Sequence, residues 1–273
     1  MTSSILLTGG TGTLGRLVTP LLLDAGCTVR LLSRRVREPV DGIEYVSGDL
    51  IKGEGIEPAV DGAEIVVNLA GGPKGDDEAA RNLVRAASRV GVRHLVHISV
   101  IGADRVPLGY LRAQLGAEQA VADSGLPWTT LRAAQFHDSV LKMVQAMAKL
   151  PVMPVPGGLR FQPVDARDVA ARMVELTLGE PAGLVPDLAG PKVYGMEELA
   201  RGYLRALGKR RLMMTVRMPG KAGRSYRAGE NLTVKGATVG KRTWEDFLSE
   251  RLHQRTDPVA AGDQRPNRSA TKR

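Results

Sequence analysis

Apolar residues in the first half of the chain follow two alternating rhythms. Short apolar-rich runs predict strands: "SILLT" (Ser4–Thr8), "TVRLLS" (Thr28–Ser33), "IEYVSGD" (Ile43–Asp49), "EIVVNLA" (Glu64–Ala70), "HLVHIS" (His94–Ser99) and "WTTLRA" (Trp128–Ala133). Between them, apolar positions recur at helical spacing. Leu14–Ala25 carries Leu14, Leu17, Val18, Leu21 and Leu22 on one face, and Asp77–Val90 and Leu111–Ser124 read as further helices. Strict alternation implies crossover connections and a parallel sheet. Helices on both faces explain why the strands are apolar along their length rather than at every second position. The expected fold class is α/β: a doubly wound parallel sheet (Rossmann fold) with a small C-terminal α/β lobe.

The rhythm breaks at "LPVMPVPGG" (Leu150–Gly158), rich in proline and glycine. Helices follow over Asp165–Leu178, Met196–Leu207 and Trp244–Leu252, with a short strand "RLMMTVRM" before the last. Asp165 is placed to cap its helix, and Asp168 stands in the first turn to serve the same helix start. Leu141, Val144 and Met147 have the spacing of a helix core face. Three regions are expected: 1–150 as the Rossmann domain, drawing in parts of the later chain; 151–253 as a smaller lobe on the substrate side; and 254–273 as a basic, disordered tail.

Between the first strand and the first helix stands "TGGTGTLGR". Gly9, Gly12 and Gly15 there supply a tight turn, bare backbone for a phosphate, and close helix–strand packing. The free N–H groups and the helix dipole hold an anion, so the loop reads as a dinucleotide cradle, with Thr13 and Leu14 beside it. At the end of the second strand an acid would grip a ribose 2′-hydroxyl. This chain has Ser33-Arg34-Arg35 instead, which suits a 2′-phosphate and favours NADP over NAD, unless both arginines are solvated surface charges. Asp49, with Leu50, ends the third strand as an adenine contact or a turn aspartate. Asn68, Ala70 and Gly71 in "NLAGG" end the fourth at the sheet edge where ligands collect.

Composition narrows the choice of partner. The net charge is +9, of which the tail holds +3, and no block of five like charges appears. Aromatics make up 4%, too few for a single-strand stacking platform, and no helix shows a basic face for a DNA groove. Specific nucleic-acid binding is therefore not expected. Cys27 is the only cysteine, so no intrachain disulfide or thiolate cluster is possible, and a buried structural thiol is expected. No apolar run reaches 18 residues and Met1-Thr2-Ser3-Ser4 leads straight into a strand, so a soluble, cytoplasmic protein without a membrane span is expected.

The ordered set "TGGTGTLG", "SRR", "GDL", "NLAGG", "HISVIGA", "GLPWTTLRAAQFHD", "FQPVDARDVA" and "PDLAGPKVYGMEELARGYLRALG" resembles the NmrA-like branch of the atypical short-chain dehydrogenase/reductase superfamily. The resemblance extends to about Leu252 and implies NAD(P) binding and oxidoreductase chemistry. Active superfamily members use a serine after the fifth strand and a Tyr-x-x-x-Lys pair on the next helix. The lysine lowers the tyrosine pKa and holds the nicotinamide ribose. Ser99 and Tyr110 match the serine and tyrosine, but Gln114 stands where the lysine should be. Gln114 can hydrogen-bond a ribose hydroxyl and cannot supply charge. Arg112, two residues from Tyr110, points elsewhere, so Tyr110 is expected to keep a near-normal pKa.

Gln135 and Phe136, just past the sixth strand, are expected beside the nicotinamide. His137 is either a substrate contact or a structural histidine. His94 and His97 face opposite sides of a strand and cannot share a metal, and no metal site is expected. The function this implies is NADP(H)-dependent oxidation or reduction of a small organic substrate of quinone or carbonyl type. The alternative is a non-catalytic dinucleotide sensor acting on a protein partner.

Overall fold

The computed structural model describes residues 3–35, 37–39 and 42–256; the tail beyond 256, expected to be disordered, lies outside them. The first half follows the alternation: β1 (Ser4–Thr8), α1 (Gly15–Asp24), β2 (Thr28–Ser33), β3 (Ile43–Ser47), α2 (Ile56–Val60), β4 (Ile65–Asn68), α3 (Asp76–Val90), β5 (His94–Val100), α4 (Gly109–Ala122) and β6 (Trp128–Ala133). Every pairing among these strands is parallel, in the order β3-β2-β1-β4-β5-β6. The order reverses direction between β1 and β4, where a doubly wound sheet opens its ligand crevice.

The sheet buries both faces. Ile5 and Leu7 of β1 pack into a core with Val18 and Leu22 of α1, while Leu6 between them packs toward Leu83, Ala86 and Ala87 of α3. At about 1.5–3 kcal/mol for each large side chain removed from water, a strand apolar on both faces stabilises this layered arrangement.

The chain after β6 divides between two places. It runs through α5 (His137–Met147), β7 (Val152–Pro156), β8 (Arg160–Phe161), α6 (Ala166–Leu178), β9 (Gly183–Leu184), β10 (Leu188–Ala189), β11 (Tyr194–Gly195), α7 (Met196–Ala206), β12 (Leu212–Val216), α8 (Gly220–Ala228), β13 (Thr238–Val239) and α9 (Trp244–Thr256). Helix α6 joins the Rossmann layer beside α1, and β9, β10 and β13 extend the main sheet past β6. The rest forms a third core in which Val144, Met153, Phe161, Leu199 and Trp244 are sealed together. Residues 152–156, read as a break in the pattern, are a strand: β7 pairs with β12 in a two-stranded sheet apart from the main one, which tolerates Pro154 and Pro156. Asp165 caps α6 as expected, accepting from the Arg167 N–H at 2.8 Å. Asp168 stands in the first turn of α6 as expected, and its carboxylate also accepts from the Lys241 N–H (2.8 Å) and pairs with Arg242 (3.1 Å), tethering the approach to α9.

Candidate cofactor and active site

At the β1–α1 turn the glycines divide their work. Gly9 has φ +67°, and a Cβ there would lie 2.5 Å from the Leu69 carbonyl oxygen, so only glycine lets the loop sit against the end of β4. A Cβ on Gly15 would come within 2.4 Å of Gly10 Cα, blocking the helix from the turn. At Gly12 the nearest atom is only the Gly9 carbonyl at 3.1 Å, and at Gly71 nothing lies within 4 Å. The fold itself demands glycine at 9 and 15; at 12 a Cβ would meet only the Gly9 carbonyl, and at 71 the bare backbone faces open space, as a cradle for a pyrophosphate requires. Thr13 is exposed, while Leu14 turns into the core beneath.

A buried polar chain braces this crevice from below. Thr8 Oγ1 donates to Asn68 Oδ1 (2.6 Å) and accepts from the Ala70 N–H (3.2 Å); Asn68 Nδ2 donates to His97 Nδ1 (3.1 Å). The proton of the neutral imidazole must then sit on Nε2, which is buried without a partner. Burial depresses the His97 pKa to about 4, against the opposing pull of Glu118. His94, on the other face of β5, bonds Thr129 Oγ1 instead at 2.8 Å.

Arg34 and Arg35 are exposed just past β2, and among the described residues neither forms an ion pair. Ser33 Oγ accepts the Arg35 N–H at 3.2 Å. Asp49 spends one carboxylate oxygen on its own turn, accepting from the Ile51 and Lys52 N–H groups, and Leu50 is core.

The far end of the crevice is built from side chains. Tyr110 and Gln114 lie one turn apart on α4. Gln114 is buried; its Nε2 donates to Asp76 Oδ2, and Asp76 Oδ1 accepts the Gly72 N–H at 2.8 Å. The pKa of Asp76 is raised, chiefly by burial. Tyr110 does not keep a near-normal pKa. Desolvation first, then the charges of Asp76 and Tyr226, push it up to about 12 although part of the ring is exposed. Arg112 is exposed, as its spacing required.

Ser99, matched to the catalytic serine, is buried and donates its hydroxyl to Glu118. Glu118 in turn holds Arg132 through two bonds of 2.9 and 2.7 Å, and Arg132 reaches Asp104 at 3.0 Å. His137 is fully buried, with its ring centroid 5.2 Å from Phe247 and 5.8 Å from Trp244 and its Nδ1 4.0 Å from Asp165. That position leaves it no surface for a substrate, so it is a core histidine. Gln135 and Phe136 stay partly open, and Gln135 Oε1 is buried without a partner.

Asp76 and Tyr226 escape sequence reading: nothing in the spacing ties a first-turn acid of α3 to Gln114, or α8 to Tyr110. Among the described residues no group of three or more His, Cys, Asp or Glu is placed to hold a metal, and no helix is long and apolar enough to cross a membrane.

Fold and crevice together define a Rossmann-type dinucleotide-binding protein. The chain belongs to the NAD(P)H-binding family, which it matches over residues 9–178, within the NmrA-like, atypical short-chain dehydrogenase/reductase group of oxidoreductases. It is 32% identical over 212 residues to a (4-alkanoyl-5-oxo-2,5-dihydrofuran-3-yl)methyl phosphate reductase of Streptomyces griseus, covering 75% of this chain and 74% of that one. Among solved structures it resembles Citrobacter triphenylmethane reductase (TM-score 0.76, 21% identity, 92% of this chain and 99% of that one). It also resembles the Escherichia coli NADPH-dependent quinone oxidoreductase in complex with NADPH (TM-score 0.75, 21% identity, 93% and 100%).

Proposed function

We propose that the protein is an NADP(H)-dependent reductase of small organic acceptors of quinone or carbonyl type. The observation that carries this reading is the pairing of an open glycine cradle with two exposed arginines past β2 that form no ion pair among the described residues. Gly9, Gly12, Thr13, Leu14 and Gly15 would hold the pyrophosphate, and Arg34 and Arg35 the 2′-phosphate. Asp49 and Leu50 would line the adenine, Asn68, Ala70 and Gly71 the backbone edge of the crevice, and Gln114 a ribose hydroxyl. Gln135, with its unpartnered Oε1, and Phe136 would flank the nicotinamide. The bound dinucleotide would supply the hydride. The likeness to a furanone-phosphate reductase and to the Escherichia coli quinone oxidoreductase 2 supports an acceptor with a conjugated carbonyl.

With its high pKa, Tyr110 stays protonated at neutral pH and orients the acceptor oxygen by donating a hydrogen bond. It is the residue we assign to the substrate. Ser99, tied to Glu118, holds the β5–α4–β6 polar cluster behind it.

Titration with NADPH and NADH side by side tests the cofactor. NADPH is expected to bind about 10- to 100-fold tighter, with the preference collapsing in Arg34→Ala/Arg35→Ala. Tighter binding of NADH would overturn the assignment. A second reading, a dinucleotide-responsive regulator of a protein partner, draws on the missing lysine and the raised Tyr110 pKa. Binding of both redox forms without turnover on a panel of quinones, azo dyes and enones would put it in first place.

A further inference from the structure

We propose that Asp76 biases the bound nicotinamide couple toward hydride donation by setting a negative charge where a Tyr-x-x-x-Lys pair would set a positive one. The geometry is specific. Asp76 opens α3, is buried, and accepts two hydrogen bonds, from the Gly72 N–H and from Gln114 Nε2. Two donors aimed at its two oxygens hold it as a carboxylate, and among the described residues no cation pairs with it. The neighbouring Asp77 has its charge met by Arg81 at 2.9 Å, so Asp76 is the uncompensated acid of this corner. The same contact fixes the Gln114 amide. Nε2 must face the carboxylate, because Oε1 there would set acceptor against acceptor. Among the described residues Oε1 is then left without a partner and is not among the sealed atoms, so it offers an acceptor to a hydroxyl group in the crevice. The position that carries a cationic donor in the Tyr-x-x-x-Lys arrangement carries here a neutral acceptor backed by a carboxylate.

The consequence is electrostatic, and it rests on the reading of the Tyr110–Gln114 corner as the nicotinamide end. Reduction of a quinone Q balances as Q + NADPH + H⁺ → QH₂ + NADP⁺. A hydride leaves the dihydronicotinamide with both electrons, the proton comes from solvent, and the ring gains one positive charge. A fixed negative charge nearby stabilises the ring after the hydride has left more than before. The oxidised form is therefore held tighter, relative to the reduced form, than it would be beside a lysine.

The test is the ratio of dissociation constants, Kd(NADP⁺)/Kd(NADPH), measured by calorimetry at pH 8 and low salt in wild type, Asp76→Asn, Gln114→Lys and Asp77→Asn. Removing the charge in Asp76→Asn is expected to raise the ratio roughly fivefold. Gln114→Lys, which meets the charge instead of deleting it, is expected to raise it at least as much and stands in if Asp76→Asn fails to fold. Asp77→Asn, already paired, is expected to leave it within about twofold. Both dinucleotides binding with a ratio unmoved in Asp76→Asn and Gln114→Lys would overturn the inference and leave the cofactor assignment standing. Failure of wild type to bind NADPH would overturn both.

Discussion

At the β1–α1 corner the protein presents backbone: Gly9 and Gly15 are demanded by contacts under 3 Å, Gly12 is crowded only by the Gly9 carbonyl at 3.1 Å, and Gly71 leaves main chain open. At the α4 corner it presents side chains: Gln114 meets Asp76 across 38 positions of sequence, and burial together with the Asp76 charge raises the proton affinity of Tyr110. A backbone cradle is specific for shape and charge and tolerates no Cβ where the turn closes. A side-chain corner can change its chemistry by one substitution and keep its shape, as a glutamine in a lysine's place does here. Conserving the first and altering the second yields a protein that holds a dinucleotide and handles protons in its own way.

The largest effect that would break this contrast is expected at the cradle. Gly9→Ala should cost about 4 kcal/mol in urea denaturation, from the left-handed backbone and the clash with the Leu69 carbonyl together. Gly12→Ala should keep stability within about 1 kcal/mol while weakening NADPH binding more than tenfold. If Gly12→Ala binds NADPH normally, the division of work between the glycines is wrong.

The two corners are joined beneath by the chain from Thr8 through Asn68 to His97, and acid should expose it. The His97 pKa lies near 6.5 in the unfolded chain and about 4 in the fold. Between those values the unfolded state binds the extra proton. The contribution is therefore whole above pH 6.5 and fades as the pH falls, and the loss amounts to about 3 kcal/mol below pH 4. His94, also depressed by burial, adds in the same direction, while Asp76, raised by burial, works against both. Stability measured across pH 7 to 4 should fall steeply in wild type and less steeply in His97→Gln, which keeps an acceptor for Asn68 and cannot titrate. Parallel curves would place the acid sensitivity elsewhere.

How far the sequence could be followed depends on how local each requirement was. Gly9 and Gly15 were legible because a tight turn and a close helix start are settled within seven residues. The inner strands were legible because burial on both faces leaves an apolar run, whereas the edge strand β3 has no fully buried residue. Strand β7 was not, since its partner β12 lies some 60 residues on and its two prolines read as a break. Asp168 was legible as a first-turn acid, but only the fold brings Lys241 and Arg242 to it. His137 followed a strand at the expected edge, but α9 closes over it with Trp244 and Phe247. Gln114 was visible as a departure, whereas the acid that gives the departure its meaning was not.

The smallest expected effect sharpens the comparison most. A tyrosine serving as general acid or base is worth about 10²- to 10⁴-fold in rate. With its phenol pushed up to about 12, Tyr110 is too weak an acid to give its proton readily at pH 7, and it is almost never ionised to accept one. What remains is a hydrogen bond to the acceptor oxygen, worth about 1 kcal/mol. Tyr110→Phe is therefore expected to lower kcat with a quinone less than about tenfold, and the kcat profile should stay flat from pH 6 to 9, because no tyrosine in the crevice titrates there. Gln114→Lys should reverse both features at once: the ammonium would bring the phenol down, the profile would gain a limb, and Tyr110→Phe in that background would cost far more than in wild type. A loss of a hundredfold or more for Tyr110→Phe in the natural chain, with a limb in its pH profile, would mean that the corner works as a proton donor despite the carboxylate beside it.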